Sequence, residues 1–349
     1  MKRNLFFVTA SVLALSSAAA FAGDNTVYLN QSGDTQEAEI TQEGSGNSVG
    51  NGGAAFIQAG INAGDKHNYL SVSQTSTASA NAVNGYQYGD FNTAHVTQSG
   101  YGSGVVLQQY GTYNGWTSSS ARSSKLDTIV QNGTSYQSNV TLTQTGNNNG
   151  FDIAQGGYQN NATANQYGDT NKVTIKQALA SDPSYGNWYN RINSQQTGSY
   201  AKADITQAGS SNAIDSYQSG NVETASQALT ASTIGSSNYI YNNQTGADIT
   251  ADLKQNGSSN YVYNYQSGAT QSVIVSQLGS GNGVFGQQAG DNNKVTIDQG
   301  KGELTGSSNY ANYYQNGSHL TLALVQTGSG NQSYTNQTGS GSTATITQK

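Results

Sequence analysis

Glutamine recurs along this chain on an eleven-residue ruler, and no other feature limits the possible folds as sharply. Each glutamine that precedes x-Gly, or stands in the same place, marks the ruler. It runs Gln31, 42, 58, 74, 87, 98, 109, 131, 144, 155, 166, 177, 196, 207, 218, 227, 244, 255, 266, 277, 288, 299, 315, 326, 337 and 348, and 16 of the 25 intervals are 11 residues. Fixed self-similarity of this kind is the signature of stacked repeat architectures. Six residues before nearly every ruler glutamine stands an asparagine, or a small or apolar substitute: Asn260 before Gln266, Asn282 before Gln288, Asn309 before Gln315. Longer intervals place their extra residues mostly between a glutamine and the next asparagine, as from Gln58 to Asn68 and from Gln299 to Asn309. The stretch from Gln227 to Asn238 reads the same way, as a longer turn. A segment that keeps its length while its connector varies is a structural element joined by a loop. The element is the seven-residue Asn-x5-Gln unit.

Its internal period is two. Asn293-Lys-Val-Thr-Ile-Asp-Gln299 puts Asn293, Val295, Ile297 and Gln299 on one face and Lys294, Thr296 and Asp298 on the other, and Asn171 to Gln177 repeats the pattern. Alternation rich in Val, Ile, Thr and Tyr between Gly-Ser-Asn turns predicts a half-buried strand. There are 26 such units between Asn25 and Gln348. Through the C-terminal half they alternate in kind. Units with Ile249/Ala251/Leu253, Val273/Val275, Val295/Ile297 and Leu322/Leu324 inside alternate with units that open on Asn238, Asn260, Asn282, Asn309 and Asn331. The sequence therefore predicts an all-β solenoid, cross-β in character, with two strands per rung and about 13 rungs of ~22 residues, each rung ~4.8 Å high.

The fixed spacing gives the amides a structural role. An unpaired amide on the inward face is costly, but in-register copies pair from rung to rung, as in cross-β ladders. The candidate ladder residues are Asn212, Gln218, Asn238, Gln244, Gln255, Asn260, Gln266, Gln277, Asn282, Gln288, Asn293, Gln299, Asn309, Gln315, Gln326, Asn331, Gln337 and Gln348. Glycine two residues after the glutamine lets the chain turn through positive φ. Composition agrees with this reading. Only 9% of residues are charged, against about a quarter in an ordinary domain. Abundant Tyr, Val, Ile and Thr argue against disorder. A formal charge of −6 gives no footing for nucleic-acid binding, which needs clustered Lys and Arg.

Lys2 and Arg3, the apolar run Leu5 to Leu15 and Ala20-Phe21-Ala22 form the three regions of a secretory leader. We read residues 1–22 as that leader, cleaved between Ala22 and Gly23, and 23–349 as one repeat domain. With no cysteine in the chain, a secreted product must be stabilised without disulfides. Catalysis finds no footing. His67, His95 and His319 are isolated, and no metal-ligand spacing accompanies them. Nor does any Gly-x-Ser-x-Gly elbow join a strand to a helix. Neither an enzyme nor a bound cofactor, metal or small-molecule substrate is expected.

The repeat Gln-x-Gly-x-x-Asn-x5-Gln, best seen in Gln42-Glu-Gly-Ser-Gly-Asn47, Gln277-Leu-Gly-Ser-Gly-Asn282 and Gln326-Thr-Gly-Ser-Gly-Asn331, resembles that of curlins, the subunits of bacterial curli fibres. The leading Ser of the family's pattern is kept at Ser342 and replaced by Ala201, Ile249 and Leu320. The chain is also longer than a five-repeat curlin. The resemblance implies an extracellular functional amyloid of a Gram-negative bacterium, nucleated at the outer membrane by a partner subunit and exported through a dedicated pore. Little sequence separates Gly23 from the first strand, so the family's targeting segment is expected to be missing or replaced.

Strand-like sequence starts at Asn25 and continues to Gln348 with no polar cap. Uncapped ends are expected to accept another subunit, and a head-to-tail contact that does not close gives a filament. Outward charges (Lys172, Lys202, Asp204, Asp252, Lys254, Asp298) read as gatekeepers against lateral sticking. Outward Tyr239, Tyr241, Tyr261, Tyr263, Tyr310 and Tyr314 read as stripes for bundling or adhesion, or simply as strand formers. Glu223 and Asp127 fall on inward positions, through a wetter arc or a register error. Two rivals to the fibre subunit are a monomeric solenoid that binds ice or another surface, and the minor nucleator of such a fibre. Thr343/Thr345/Thr347, an array suited to ice, occurs once without continuation.

Overall fold

Each alternating unit becomes a strand whose odd and even residues part company. Lys294–Gln299 alternates exposed or half-buried with buried positions, and Leu320 to Gln326 does the same. The computed structural model describes residues 14–15, 24–32, 36–50, 54–60, 67–75, 80–115, 128–131, 135, 137–177, 188–220, 226–300 and 307–349. Among these, every regular element is a strand. Each strand bonds to the unit two along, not to its successor, and always in parallel. This makes two sheets. Sheet A runs from Glu37–Glu43 to Thr343–Gln348, with Ala14–Leu15 set in parallel beside Glu39 and Ile40. Sheet B runs from Thr26–Val27 to Gln332–Ser340. Its first two rungs are split, Thr26–Val27 with Leu29–Ser32 and Ser48–Val49 with Phe56–Ala59. Counting each split pair once, and setting aside Ala14–Leu15, thirteen rungs result.

The core lies between the sheets as columns along the rod axis. Sheet A stacks Val273 on Val295 and Val275 on Ile297. Sheet B stacks Ile240 on Val262 on Val284, and all seven are 0–1% exposed. Full burial of one such side chain stabilises by roughly 1.5–3 kcal/mol before ordering costs. One slip of register by a residue would turn every column out to solvent.

Two loop assignments change. The stretch after Gln227 is a strand, not a turn. Gln227–Ser236 pairs along its whole length with Ala201–Ser210 and Ile249–Ser258. Gln227 therefore starts a strand, and Thr233 stands in the glutamine column between Gln207 and Gln255. The cause is visible in Ala-Leu-Thr-Ala-Ser-Thr-Ile, where Leu229, Ala231 and Thr233 alternate inward. Thr233 to Gln244 also restores the eleven-residue step. The strand expected around Glu223 is thus displaced. Glu223, Asp127, Ala22 and Gly23 themselves lie outside the described residues. The second change lies between Gly115 and Thr128: Asn114 and Gly115 take up the start of a rung that Thr128–Gln131 completes. The extra residues of this interval thus fall within a rung in sequence, not between a glutamine and the next asparagine.

Strands also run further than seven residues where successive arcs match in length. Ile249–Ser258 carries pairing through Gly257, in register with Gly279. Each such arc uses two left-handed residues. Gly268 has φ +122°, and a Cβ there would run into the Gly290 carbonyl of the next rung. Two residues on, Thr270 holds φ +53° despite its branched side chain, a conformation that costs L residues about 1–2 kcal/mol. Gly268→Ala is therefore expected to lower stability by ~2 kcal/mol, from strain and overpacking, whereas Thr270→Gly is expected to be neutral or raise it slightly. Chemical-denaturation midpoints of the two variants against the parent check the contrast.

Candidate functional site: stacked amides and an aromatic face

The glutamine that ends each strand points inward and meets its own kind. In sheet B the column is unbroken over thirteen glutamines, Gln31 to Gln337, with Nε2 of each donating to Oε1 of the next at 2.6–3.3 Å. In sheet A it runs from Gln42 to Gln207 and resumes from Gln255 to Gln348, at 2.6–3.1 Å. Every bond points the same way, towards the C-terminal rung. The second amide proton explains why. Gln266 Nε2 also donates to the Thr250 carbonyl, and Gln277 Nε2 to that of Tyr261, each across the core at the start of the opposite strand. An amide nitrogen is thereby distinguished from its oxygen, and the whole column takes one orientation.

Several asparagines make the amide-to-amide pairing expected of them, and they add bonds to the backbone. Asn260 Oδ1 accepts the backbone N–H of Asn282, and its Nδ2 donates to the Gly279 carbonyl and back to Asn238 Oδ1. Asn293 likewise accepts from Leu320 N–H and donates to the carbonyls of Ala289 and Gly317. They clamp the arc's backbone, whose polar groups would otherwise go unpaired inside. Asn212, Asn238, Asn260, Asn282, Asn309 and Asn331 follow one another on successive rungs, the first five of them 0–1% exposed. In sheet A the same position passes to Ala201, Gln227, Ile249 and Gln271. Gln271 reproduces the clamp, donating to Ser267 and Gly290 carbonyls.

Three features were not read from sequence. At Thr233 the sheet A column breaks, leaving Thr233 Oγ1 and Gln255 Oε1 buried without partners. Tyr313 is buried, 2% exposed, and its hydroxyl donates to Asn264 Oδ1 two rungs away at 3.2 Å. It passes over Gly286, where any Cβ would overlap the ring. Asn264 in turn donates to Asn242 Oδ1 and Gln266 Oε1. Burial pushes the Tyr313 hydroxyl's pKa well up. Alternation from Asn309 to Gln315 sets Tyr313 inward, and the signal for its reach was Gly286 standing where Asn264 and Tyr313 stand. Third, Arg191 grips Asp215 with two bonds of 2.7–2.8 Å, and Tyr239 donates to the same carboxylate. The Asp215 bond holds the Arg191 guanidinium above its usual value. Tyr239 is raised by burial first and by the Asp215 charge second.

The two outer faces differ sharply. Before its ladder glutamines, sheet A turns out Glu37, Glu39, Asp152, Lys172, Lys176, Lys202, Asp204, Asp252, Lys254, Lys294 and Asp298. Lys202–Asp204 and Lys254–Asp252 pair at 2.7–2.8 Å, exposed bridges of small energetic worth. On sheet B the only charged outward side chains before the ladder glutamines, among the described residues, are Arg191 and Asp215, and Asp291 follows in the arc. From Tyr239 onward its face is aromatic. Tyr241–Tyr265, Tyr239–Tyr263, Tyr265–Phe285 and Tyr310–Tyr334 rings stand 5.2–6.0 Å apart. Among the described residues no group of three or more His, Asp or Glu could hold a metal ion.

Residues 146–178, 246–279 and 320–349 each match the model of the curlin associated repeat. The chain carries curlin repeats. No curated protein matches it. Each matched segment spans a ladder glutamine, its glycine arc and the following strand, so the curlin pattern is the arc-and-ladder unit described above.

Gln266→Ala is expected to leave a donor on Gln244 and an acceptor on Gln288 unpaired and to cost about 2–5 kcal/mol, while Thr233→Gln is expected to close the break and raise the denaturation midpoint. Both are read by chemical denaturation. Tyr313 has its folded pKa raised, so its contribution is intact below the unfolded value of about 10. It is lost as pH climbs above that, by up to ~1.4 kcal/mol per pH unit. Denaturation midpoints from pH 8 to 12 are expected to fall less steeply in Tyr313→Phe than in the parent.

Proposed function

We propose that this curlin-repeat chain is a secreted structural subunit of an extracellular amyloid fibre, built by stacking rungs of successive chains end to end. The observation that carries the reading is the match between its first and last rungs. Following the pairing column by column, Ala344, Ile346 and Gln348 stand where Ala38, Ile40 and Gln42 stand at the other end. Ala344 and Ile346 are only partly buried, although their counterparts on the rung before, Leu322 and Leu324, are buried. Neither Gln337 nor Gln348 reaches another glutamine through Nε2, and at the opposite end Gln31 and Gln42 are the first donors of their columns. A second copy in the same orientation would continue every column. A reversed copy would set amide nitrogen against amide nitrogen.

On this reading growth is templated: the open rung fixes the register of an incoming chain, whose repeats then fold onto one another. Residues 1–22 act as an export leader. A nucleating subunit and an outer-membrane pore are the partners that curlin repeats imply, and the fibre supports adhesion and matrix formation at the surface of a Gram-negative cell. The absence of a catalytic constellation from the sequence fits a scaffold.

The test is unseeded assembly of residues 23–349, followed by thioflavin fluorescence and fibre diffraction. Fibres with a ~4.7 Å meridional reflection are expected. Val273→Asp with Val275→Asp is expected to abolish them, since both side chains are buried. Ser272→Asp with Ser276→Asp, on the outward face, is expected to slow growth no more than a few-fold. Persistent monomer in the parent would favour a surface-binding solenoid instead.

A further inference from the structure

We propose that the aromatic face of sheet B, residues 239–338, is a lateral contact between fibres: its occupant is the same face of a second copy. The inference rests on the fibre reading above. It starts from where the charges are. Before the ladder glutamines, eleven described outward side chains of sheet A are charged, against two on sheet B, and those two neutralise each other. Arg191 and Asp215 form a bidentate pair that marks the edge of the aromatic region. The next five strands of sheet B expose no charge at any outward position before the arc. Charge on an outer strand face is the ordinary protection against sticking. Here it guards one face and is missing from the other.

What replaces it suits a protein contact. Interface centres are depleted in charge and enriched in tyrosine and other aromatics. Tyr241, Tyr263 and Phe285 occupy one column on successive rungs, and Phe285 is 39% exposed and Tyr334 70% exposed. Their rings already stand in contact along the axis at 6.1–6.2 Å, so the face is ordered before it meets anything, and little side-chain entropy remains to be lost.

Area decides between a dimer and a bundle. Five strands of about seven residues present roughly 550 Å². That is below the ~800 Å² per partner of a stable complex. One chain is therefore too small to hold another by this face. In a fibre the patch recurs every thirteen rungs, about 60 Å, and many weak contacts then act together. Bundling follows polymerisation and does not precede it.

The experiment compares fibres of residues 23–349 with fibres of Tyr263→Glu/Phe285→Glu and of the sheet A control Thr250→Glu/Thr296→Glu. Low-speed sedimentation and electron microscopy report bundling; thioflavin growth rates report elongation. Parent and control are expected to form multi-fibre bundles that survive 0.5 M salt, since the contact is uncharged. The sheet B variant is expected to elongate within about two-fold of the parent yet yield single fibres, with at least a ten-fold fall in pelletable material. Single fibres in the parent, equal bundling in all three, or loss of bundling in the control alone would overturn the inference while leaving the fibre intact. Single parent fibres that instead bind a neutral β-glucan through Tyr263 and Phe285 would assign the face to polysaccharide, overturning it too. If the parent forms no fibre, the fibre reading fails and takes this contact with it.

Discussion

Everything in this fold depends on a glutamine amide meeting an identical amide one rung away. A primary amide buried alone costs several kcal/mol, and thirteen rungs bury two columns of them. The cost vanishes only if each strand lies in register with its neighbours, so the side chains dictate the backbone arrangement as much as the backbone presents the side chains. That is why the arcs vary in length while the strands keep their register. It is also why the interior tolerates Leu, Val, Ile, Ala or Ser between the amides while the glutamine position changes only once among the described rungs, at Thr233.

The consequences spread outward. Once register is fixed, the asparagines find backbone groups of the arc at the right place, and glycines such as Gly257 and Gly279 stack closely enough for pairing to continue round the bend. The core columns need only be apolar. Where one carries polar residues, as at Asn242 and Asn264, the structure answers with a specific device: Tyr313 reaching across Gly286. That device works only for one order of rungs. In a chain whose repeats look alike, it distinguishes neighbouring repeats that the glutamine ruler treats as equivalent.

Much of this was legible in the sequence because a period-two strand and an eleven-residue step are properties of residue order alone. The sheet assignment, the inward set Asn260, Val262, Asn264 and Gln266, and the outward Tyr261, Tyr263 and Tyr265 all follow from alternation. What failed did so for physical reasons. Gln227 has the right side chain in the wrong place, and only pairing with Ala201 and Ile249 reveals that Thr233 holds the column. The asparagines' backbone partners depend on how an arc folds back, which spacing does not encode. Left-handed Thr270, Ser259 and His319 escape residue statistics because neighbouring rungs, not their own preferences, hold them there.

The uniform sense of the glutamine bonds has a further meaning. An amide carries a dipole of about 3.5 D, and successive peptide groups along a strand point alternately up and down the rod axis, so the backbone dipoles largely cancel. The two side-chain columns do not cancel. They lie parallel to the rod axis and to each other, so their dipoles add, rung upon rung. The molecule is in this respect an arrow: its two ends differ electrically although their apolar side chains nearly coincide. A filament assembled from such arrows, tip to tail, would be a polar thread whose moment grows in proportion to its length.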